Sequence, residues 1–155
     1  MEAYSFLKTV HIISATILFG TGLGIAFFFW MGGRAGDDRA ALFAAKATVT
    51  ADFMFTAAAG VAQPLTGALL VWKGGFDPLE YWLVMSYALY ALASICWLPV
   101  VVLQIRIRNA LQRKLDGGPF DAAAVQRMRI LWFALGWPAF LGLLVVFHLM
   151  VTKPS

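Results

Sequence analysis

The sequence contains few charged residues. They make up 13% of its 155 residues, while hydrophobic residues make up 61%, and the mean hydropathy is +0.78. A soluble domain usually carries about 25% charged residues. No Asp, Glu, Lys or Arg occurs between Thr9 and Met31, and a run of about 20 apolar residues is enough to cross a bilayer. The composition therefore predicts an integral membrane protein whose surroundings are a lipid bilayer.

Cysteine and known catalytic motifs are also scarce. The single cysteine, Cys96, excludes an intramolecular disulfide and is expected to be a small buried side chain. The sequence has no phosphate loop, nucleophile elbow or metalloprotease helix, so it does not indicate a hydrolase, kinase or nucleotide-binding protein. The net charge of +4 resides mostly in connecting segments, where it sets membrane orientation. We therefore expect no binding to nucleic acid.

Four long apolar segments predict an all-α, four-helix transmembrane bundle that forms one domain over residues 1–155. The spans are predicted at about 4–31, 47–72, 79–103 and 130–152. Asp37 or Asp38 is expected to cap a short helix before the second span, and Asp121 to cap the last helix. Pro64 lies inside the second span, where it removes a backbone donor, and the freed carbonyl must find a partner inside the bundle.

The basic residues are distributed unevenly between the two ends of this bundle. Three of the twelve, Lys8, Lys73 and Lys153, belong to the end that carries both termini. The other nine belong to loops one and three and their flanks: Arg34, Arg39, Lys46, Arg106, Arg108, Arg113, Lys114, Arg127 and Arg129. The positive-inside rule predicts that loops one and three are cytoplasmic and that both termini are outside, which in a bacterial inner membrane is the periplasm.

The only two histidines, His11 and His148, lie in the first and last spans. A histidine inside a membrane is costly without a partner, which makes it a functional candidate. At about 1.5 Å per residue, both fall in the outer half of the bundle, near Thr66 and Tyr87. Ser14 shares a helix face with His11. The residues predicted to bind a cofactor are therefore His11, His148, Lys8, Ser14, Thr66 and Tyr87.

Two neutral imidazoles on facing helices can hold a metal or the iron of haem b. His11 and His148 are then the candidate ligands, and Lys8 could hold a haem propionate. The alternatives are a pair of histidines that only hold helices together through hydrogen bonds, or another metal site or proton relay.

Asp52, near the start of the second span, also has two interpretations. It is expected either to pair with Arg106 or Arg129 near a helix N-terminus, or to act as a proton entry point on the cytoplasmic side. Gln63 is a further polar residue within the same span. The glycines at 20, 22 and 24 predict close helix packing, with a lipid or cofactor against the bare backbone as the alternative.

Several motifs together resemble a known family. They are the segments 7–11 and 19–24 of the first helix, 51–52 and 63–67 of the second, 97–101 and 104–106 of the third, and 132–138 of the fourth. Over nearly its whole length, the chain resembles a bacterial family of predicted integral membrane proteins, domain of unknown function 2269.

The first helix is also faintly similar to the membrane protoporphyrinogen oxidase and copper-resistance membrane protein families. In both families a basic residue shortly precedes a histidine, as Lys8 precedes His11 here. The resemblance implies a haem-associated redox role for His11, although the further basic pattern of the oxidase family is absent.

Three functions follow as hypotheses. The first is a small redox protein that binds haem b between its first and last helices and exchanges electrons with a quinol or a partner. The second is a non-catalytic membrane subunit or assembly factor, with a membrane protein or a second copy as its partner. The third is a transporter of a small molecule or metal ion that uses Asp52 and the proline-containing helices.

Overall fold

Residues 2–154 are described by a computed structural model and are almost entirely helical. The helices are α1 (Glu2–Arg34), α2 (Asp38–Ala51), α3 (Ala57–Gly74), α4 (Tyr81–Leu115) and α5 (Ala122–Thr152). A π-helical segment, Asp52–Thr56, joins α2 directly to α3. Four continuous helical rods, 2–34, 38–74, 81–115 and 122–152, are long and apolar enough to cross a membrane. The predicted all-α fold with four candidate spans is confirmed.

The two ends of the bundle differ in what they carry. The end with the α1–α2 and α4–α5 connections is called the basic end here, because nine basic residues are on or near it. The opposite end carries both chain termini and the α3–α4 connection and is called the terminal end. The predicted caps are present at the basic end, where Asp37 accepts from the backbone N–H of Arg39 and Asp121 accepts from that of Ala124, each at 2.9 Å.

The main hydrophobic core lies toward the basic end. There α2 packs between α1 and α4, and the buried residues include Phe29, Ala45, Ile107 and Trp132. A smaller cluster at the terminal end surrounds Trp82, Leu83 and Leu149. Between these two clusters the rods form two close pairs, α1 with α3 and α4 with α5, while α3 and α4 approach each other little. This pairing leaves space in the centre of the bundle.

The helices continue without a break through three prolines, Pro64, Pro99 and Pro138. Pro64 has no N–H to donate to the carbonyl of Gly60, four residues before it. The hydroxyl of Tyr90 on α4 donates to that carbonyl instead. The prediction that this freed carbonyl finds a partner inside the bundle is confirmed, and the bond joins two helices that otherwise touch little.

Candidate functional site

A polar cluster joins α1 to α3 toward the terminal end. His11 Nδ1 lies 2.7 Å from Thr66 Oγ1, and the Thr66 hydroxyl donates to the Ala62 carbonyl at 2.7 Å. Ser14 is buried and donates to the His11 carbonyl at 3.0 Å. The Gln63 amide, with its oxygen accepting from the Ala15 N–H at 3.0 Å, places its nitrogen 3.2 Å from Ser14 Oγ, to which it can donate, and beside the His11 ring.

Gly67 lies beside the imidazole of His11. A Cβ at that position would lie 3.4 Å from His11 Cε1, so the ring packs against the backbone of α3. The segment from Gln63 to Gly67 therefore supplies both the polar partners of His11 and a close packing surface for its ring. Four of the residues singled out in the sequence, His11, Ser14, Gln63 and Thr66, are brought together here.

The other predicted members of the histidine layer are not part of this cluster. Lys8, Tyr87 and His148 are all exposed on the surface of the bundle. The backbone carbonyl of His148 accepts from the Thr152 hydroxyl at 2.9 Å, a bond within α5. In the described chain the two histidine rings do not contact each other. Joint ligation of a haem by His11 and His148 therefore remains a prediction.

The predicted ion pair of Asp52 is absent among residues 2–154, so that prediction is wrong. Asp52 is 3% exposed; its Oδ1 accepts only a long bond of 3.4 Å from Trp97 Nε1, and its Oδ2 has no hydrogen-bond partner. Arg106 is exposed, and the Arg129 guanidinium is directed toward α1, with its carbon 5.8 Å from the centre of the Phe29 ring. The helix faces on which the two arginines lie keep both of them from the carboxylate.

Asp52 instead lies on the wall of a cavity of about 520 Å³ in the centre of the bundle, bounded by all four rods. The wall is largely apolar and aromatic, with Phe19, Phe133, Trp137 and Phe140 among its residues. Along α4 it runs from Tyr90 to Gln104, which is about 21 Å at the rise of an α-helix. Neither histidine lines it.

Four residues of this wall carry buried polar atoms without a partner in the described chain. They are Asp52 Oδ2, Thr56 Oγ1, Gln104 Oε1 and Trp132 Nε1. All four side chains are more than nine-tenths buried. Asp52, Gln104 and Trp132 are, on their own rods, the lining residues closest to the basic end. The unpartnered atoms are therefore concentrated at one end of an otherwise apolar space.

The π-helical segment is the backbone feature that accompanies these side chains. The N–H of Ala57 bonds to the carbonyl of Asp52, five residues before it, and both ends of the segment, Asp52 and Thr56, are buried. Single π turns inside α-helices are rare and occur often at functional sites. No pattern in the sequence predicts this segment. Only Asp52 of the four residues was singled out, although Gln104 was a second polar residue at a comparable depth.

The glycines of α1 differ from their predicted role. A Cβ at Gly20, Gly22 or Gly24 would meet nothing within 4 Å, so these residues do not bring helices of the described chain into close contact. Gly22 lines the cavity and Gly20 does not. This arrangement fits the alternative interpretation for Gly22, in which a small molecule lies against the bare backbone.

Comparison with known proteins agrees with the long apolar rods. No curated protein and no solved structure matches the chain. A family description, predicted integral membrane protein, matches residues 5–154. Because that match covers nearly the whole chain, this protein belongs to the family of predicted integral membrane proteins called domain of unknown function 2269.

Proposed function

We propose that this protein binds a lipophilic small molecule within the membrane, in the cavity between its four rods, with the polar head of that molecule at Asp52, Gln104 and Trp132. The observation that carries the proposal is the concentration of unpartnered polar atoms at one end of a single apolar cavity. Its volume of about 520 Å³ falls within the range of about 300–1,000 Å³ typical of ligand sites.

The energetic cost of these atoms supports a ligand. A buried polar atom without a partner costs about 1–3 kcal/mol, and buried polar groups in native proteins are nearly always paired. Four such atoms on one wall form an exceptional group. A bound molecule that hydrogen-bonds to them would recover part of that cost. None of the four atoms has a hydrogen-bond partner in the described chain, so a ligand that reaches them would not compete with an existing bond at those atoms.

The types of atom define the head of the ligand. Asp52 Oδ2, when ionised, and Gln104 Oε1 only accept hydrogen bonds, while Trp132 Nε1 only donates. The head must therefore donate two hydrogen bonds and accept one; a single hydroxyl can donate to one of the two acceptors while it accepts from Trp132 Nε1, and a second donor completes the set. A quinol has such hydroxyls on a ring that suits the aromatic wall. A lipophilic amine is the charged alternative, favoured by a carboxylate beside tryptophan rings.

Binding assays with both kinds of head test the proposal. The purified protein in lipid nanodiscs is titrated with a short-tailed benzoquinol and with dodecylamine. Quenching of tryptophan fluorescence is followed, since Trp97, Trp132 and Trp137 line the cavity. We expect saturable binding of at least one probe. If the head is cationic, Asp52→Asn lowers amine affinity about tenfold or more, as expected for a hydrogen bond to a charged group.

A matched pair of glycine variants locates the site. Gly22→Leu places a side chain in the cavity, and Gly20→Leu places the same side chain on the exposed surface of the same helix. Both positions have open space for a Cβ. Binding should be lost in the first variant and retained in the second. Equal binding by the two variants, or no saturable binding of either probe, would contradict the proposal; the second result would favour a non-catalytic subunit.

Haem ligation by His11 is the second candidate. The observation in its favour is that Nδ1 faces Thr66 and Gln63, while Nε2 makes no hydrogen bond within the described residues. Metal-ligating histidines are usually held in this way through their other ring nitrogen. His148 is exposed and neither histidine lines the cavity, so a haem would need a second site at the surface of α1.

Visible spectroscopy tests this second candidate. Haem b would give the purified protein a Soret band and a sharp α-band after dithionite reduction. Both bands should be lost in His11→Ala and shifted in His148→Ala if both residues ligate iron. A purified protein whose spectrum lacks these bands would contradict haem binding.

The orientation in a bacterial inner membrane, with the basic end cytoplasmic, is proposed from the distribution of basic residues. Single cysteines in a Cys96→Ala background test it. A membrane-impermeant maleimide added outside should label the Leu79→Cys variant, in the α3–α4 connection, and not the Pro119→Cys variant, in the α4–α5 connection; both positions are exposed. The reverse pattern would invert the orientation.

A further inference from the structure

Arg129 also carries an unpartnered buried polar atom and, unlike the four residues of the cavity wall, it lies outside the central cavity. Its Nε is buried without a hydrogen-bond partner, and it forms no ion pair among residues 2–154. The guanidinium lies against Gly33, where a Cβ would overlap its Nη1 atom. It thus occupies a notch in the backbone of α1, beside the Phe29 ring.

This arginine lines a polar pocket of about 270 Å³ at the basic end. The pocket lies between the first two turns of α5 and the segment that joins α1 to α2, with Gln126, Asp37 and Asp38 in its wall. Arg129 adjoins the predicted start of the fourth span, near residue 130. That position places the pocket at the level of lipid headgroups, where phosphate groups are abundant.

We propose that this pocket binds the headgroup of a phospholipid, with the phosphate held by Arg129. A guanidinium is a planar fork of donors that matches two phosphate oxygens, and it is the side chain best suited to this contact. An arginine without a carboxylate partner, held in place by packing against a glycine and an aromatic ring, leaves its donors free to bind an anion.

The acidic residues of the same pocket indicate which headgroup fits. Asp38 is neutralised by Lys114, whose Nζ lies 2.6 Å from Asp38 Oδ2. Asp37 caps α2 and carries its own negative charge beside the pocket. A headgroup with an ammonium next to its phosphate can place one charge at Arg129 and the other at Asp37. The charges therefore favour phosphoethanolamine over an anionic glycerol headgroup.

Lipid retention is the experiment that tests this inference. The full chain is reconstituted into an equimolar mixture of phosphatidylethanolamine and phosphatidylglycerol and purified again. The lipid molecules that stay bound are then counted by native mass spectrometry. We expect a preference for phosphatidylethanolamine of about fivefold. Arg129→Gln should lower retention about tenfold, and the control Arg127→Gln, an exposed arginine two residues away, less than twofold. Arg129→Lys, which keeps the charge but loses the fork, should be intermediate.

Two further measurements test the role of Asp37 and identify the source of the bound phosphate. Asp37→Asn keeps a residue that caps helices well and should remove the preference between the two lipids without lowering total retention. Soluble phosphoethanolamine at millimolar concentration should not displace the lipid, whereas displacement would assign the pocket to a free phosphate ester. Equal retention by Arg129→Gln and Arg127→Gln, in variants with unchanged helical circular dichroism, would overturn the proposal.

Discussion

The two polar regions inside this bundle differ in how completely their atoms are paired. In the region around His11, toward the terminal end, Thr66, Gln63 and Ser14 bond to a neighbouring side chain or to the backbone. In the region around Asp52, toward the basic end, four buried polar atoms have no partner in the described chain. Both regions lie within long apolar helices, so composition alone does not distinguish them.

This difference teaches what each region does. A paired polar group inside a membrane holds helices together, because separating them would expose it to hydrocarbon. An unpartnered polar atom adds no hydrogen bond between helices and is retained in spite of its cost. The sequence directs attention to the histidines because histidine is rare here. The structure directs it to Asp52, because pairing and not rarity indicates which polar group is available to a ligand.

The largest effect on stability is expected at Tyr90, whose hydroxyl supplies a hydrogen bond to a backbone carbonyl of α3. Tyr90→Phe would leave the Gly60 carbonyl without a donor, since Pro64 has no N–H. We expect a loss of about 1–3 kcal/mol in the free energy of unfolding, measured by dodecyl sulfate titration in mixed micelles.

Two variants check the cause of that loss. Pro64→Ala restores an N–H four residues after Gly60, so adding Tyr90→Phe to it should cost much less than in the native chain. Tyr87→Phe removes a hydroxyl from an exposed tyrosine of the same helix and should have little effect. An equal cost in both proline backgrounds would show that the Tyr90 hydroxyl does not act through the Gly60 carbonyl.

Removal of one hydrogen-bond partner from the region around His11 should also destabilise the protein. Thr66→Val deletes the hydroxyl that lies 2.7 Å from His11 Nδ1 and keeps the shape of the side chain. We expect a loss of about 1 kcal/mol in the same titration, the size usual for hydrogen bonds between membrane helices. The control is Thr16→Val, whose hydroxyl bonds only within α1 and is exposed. A cost no larger than that of the control would contradict a helix-joining role for His11.

In the region around Asp52, removal of a polar group should have the opposite effect on the free energy of unfolding. Asp52→Leu replaces a buried carboxylate without an ion pair by an apolar side chain of similar size. In the absence of ligand we expect no loss, and a gain of up to about 1 kcal/mol, because an orphaned polar atom is removed. The same titration measures it. A loss above that size would mean that Asp52 is stabilised by a partner, and the comparison between the two regions would fail.

The sequence predicts much of this fold because each feature depends on local chemistry. Apolar length gives the four rods, aspartates give two caps, and Pro64 predicts an interhelical bond to the carbonyl it frees. The cavity could not be predicted in the same way. It depends on the pairing of α1 with α3 and of α4 with α5, and on a π turn with no sequence signature. Asp52 and Gln104, 52 residues apart, share a wall only because of that packing.

The smallest effect is expected at His148, and it distinguishes the two histidines. His148 is exposed and its side chain bonds to nothing among the described residues, so His148→Gln should change the free energy of unfolding by less than about 0.5 kcal/mol. His11→Gln should cost more, since it disrupts the contacts to Thr66 and Gln63. The dodecyl sulfate titration compares the two variants under one condition. If they prove equally costly, His148 has a partner that the isolated chain does not supply, such as an iron ligated by both rings or a second subunit. The reduced visible spectrum and the mass of the purified complex then decide between these two partners.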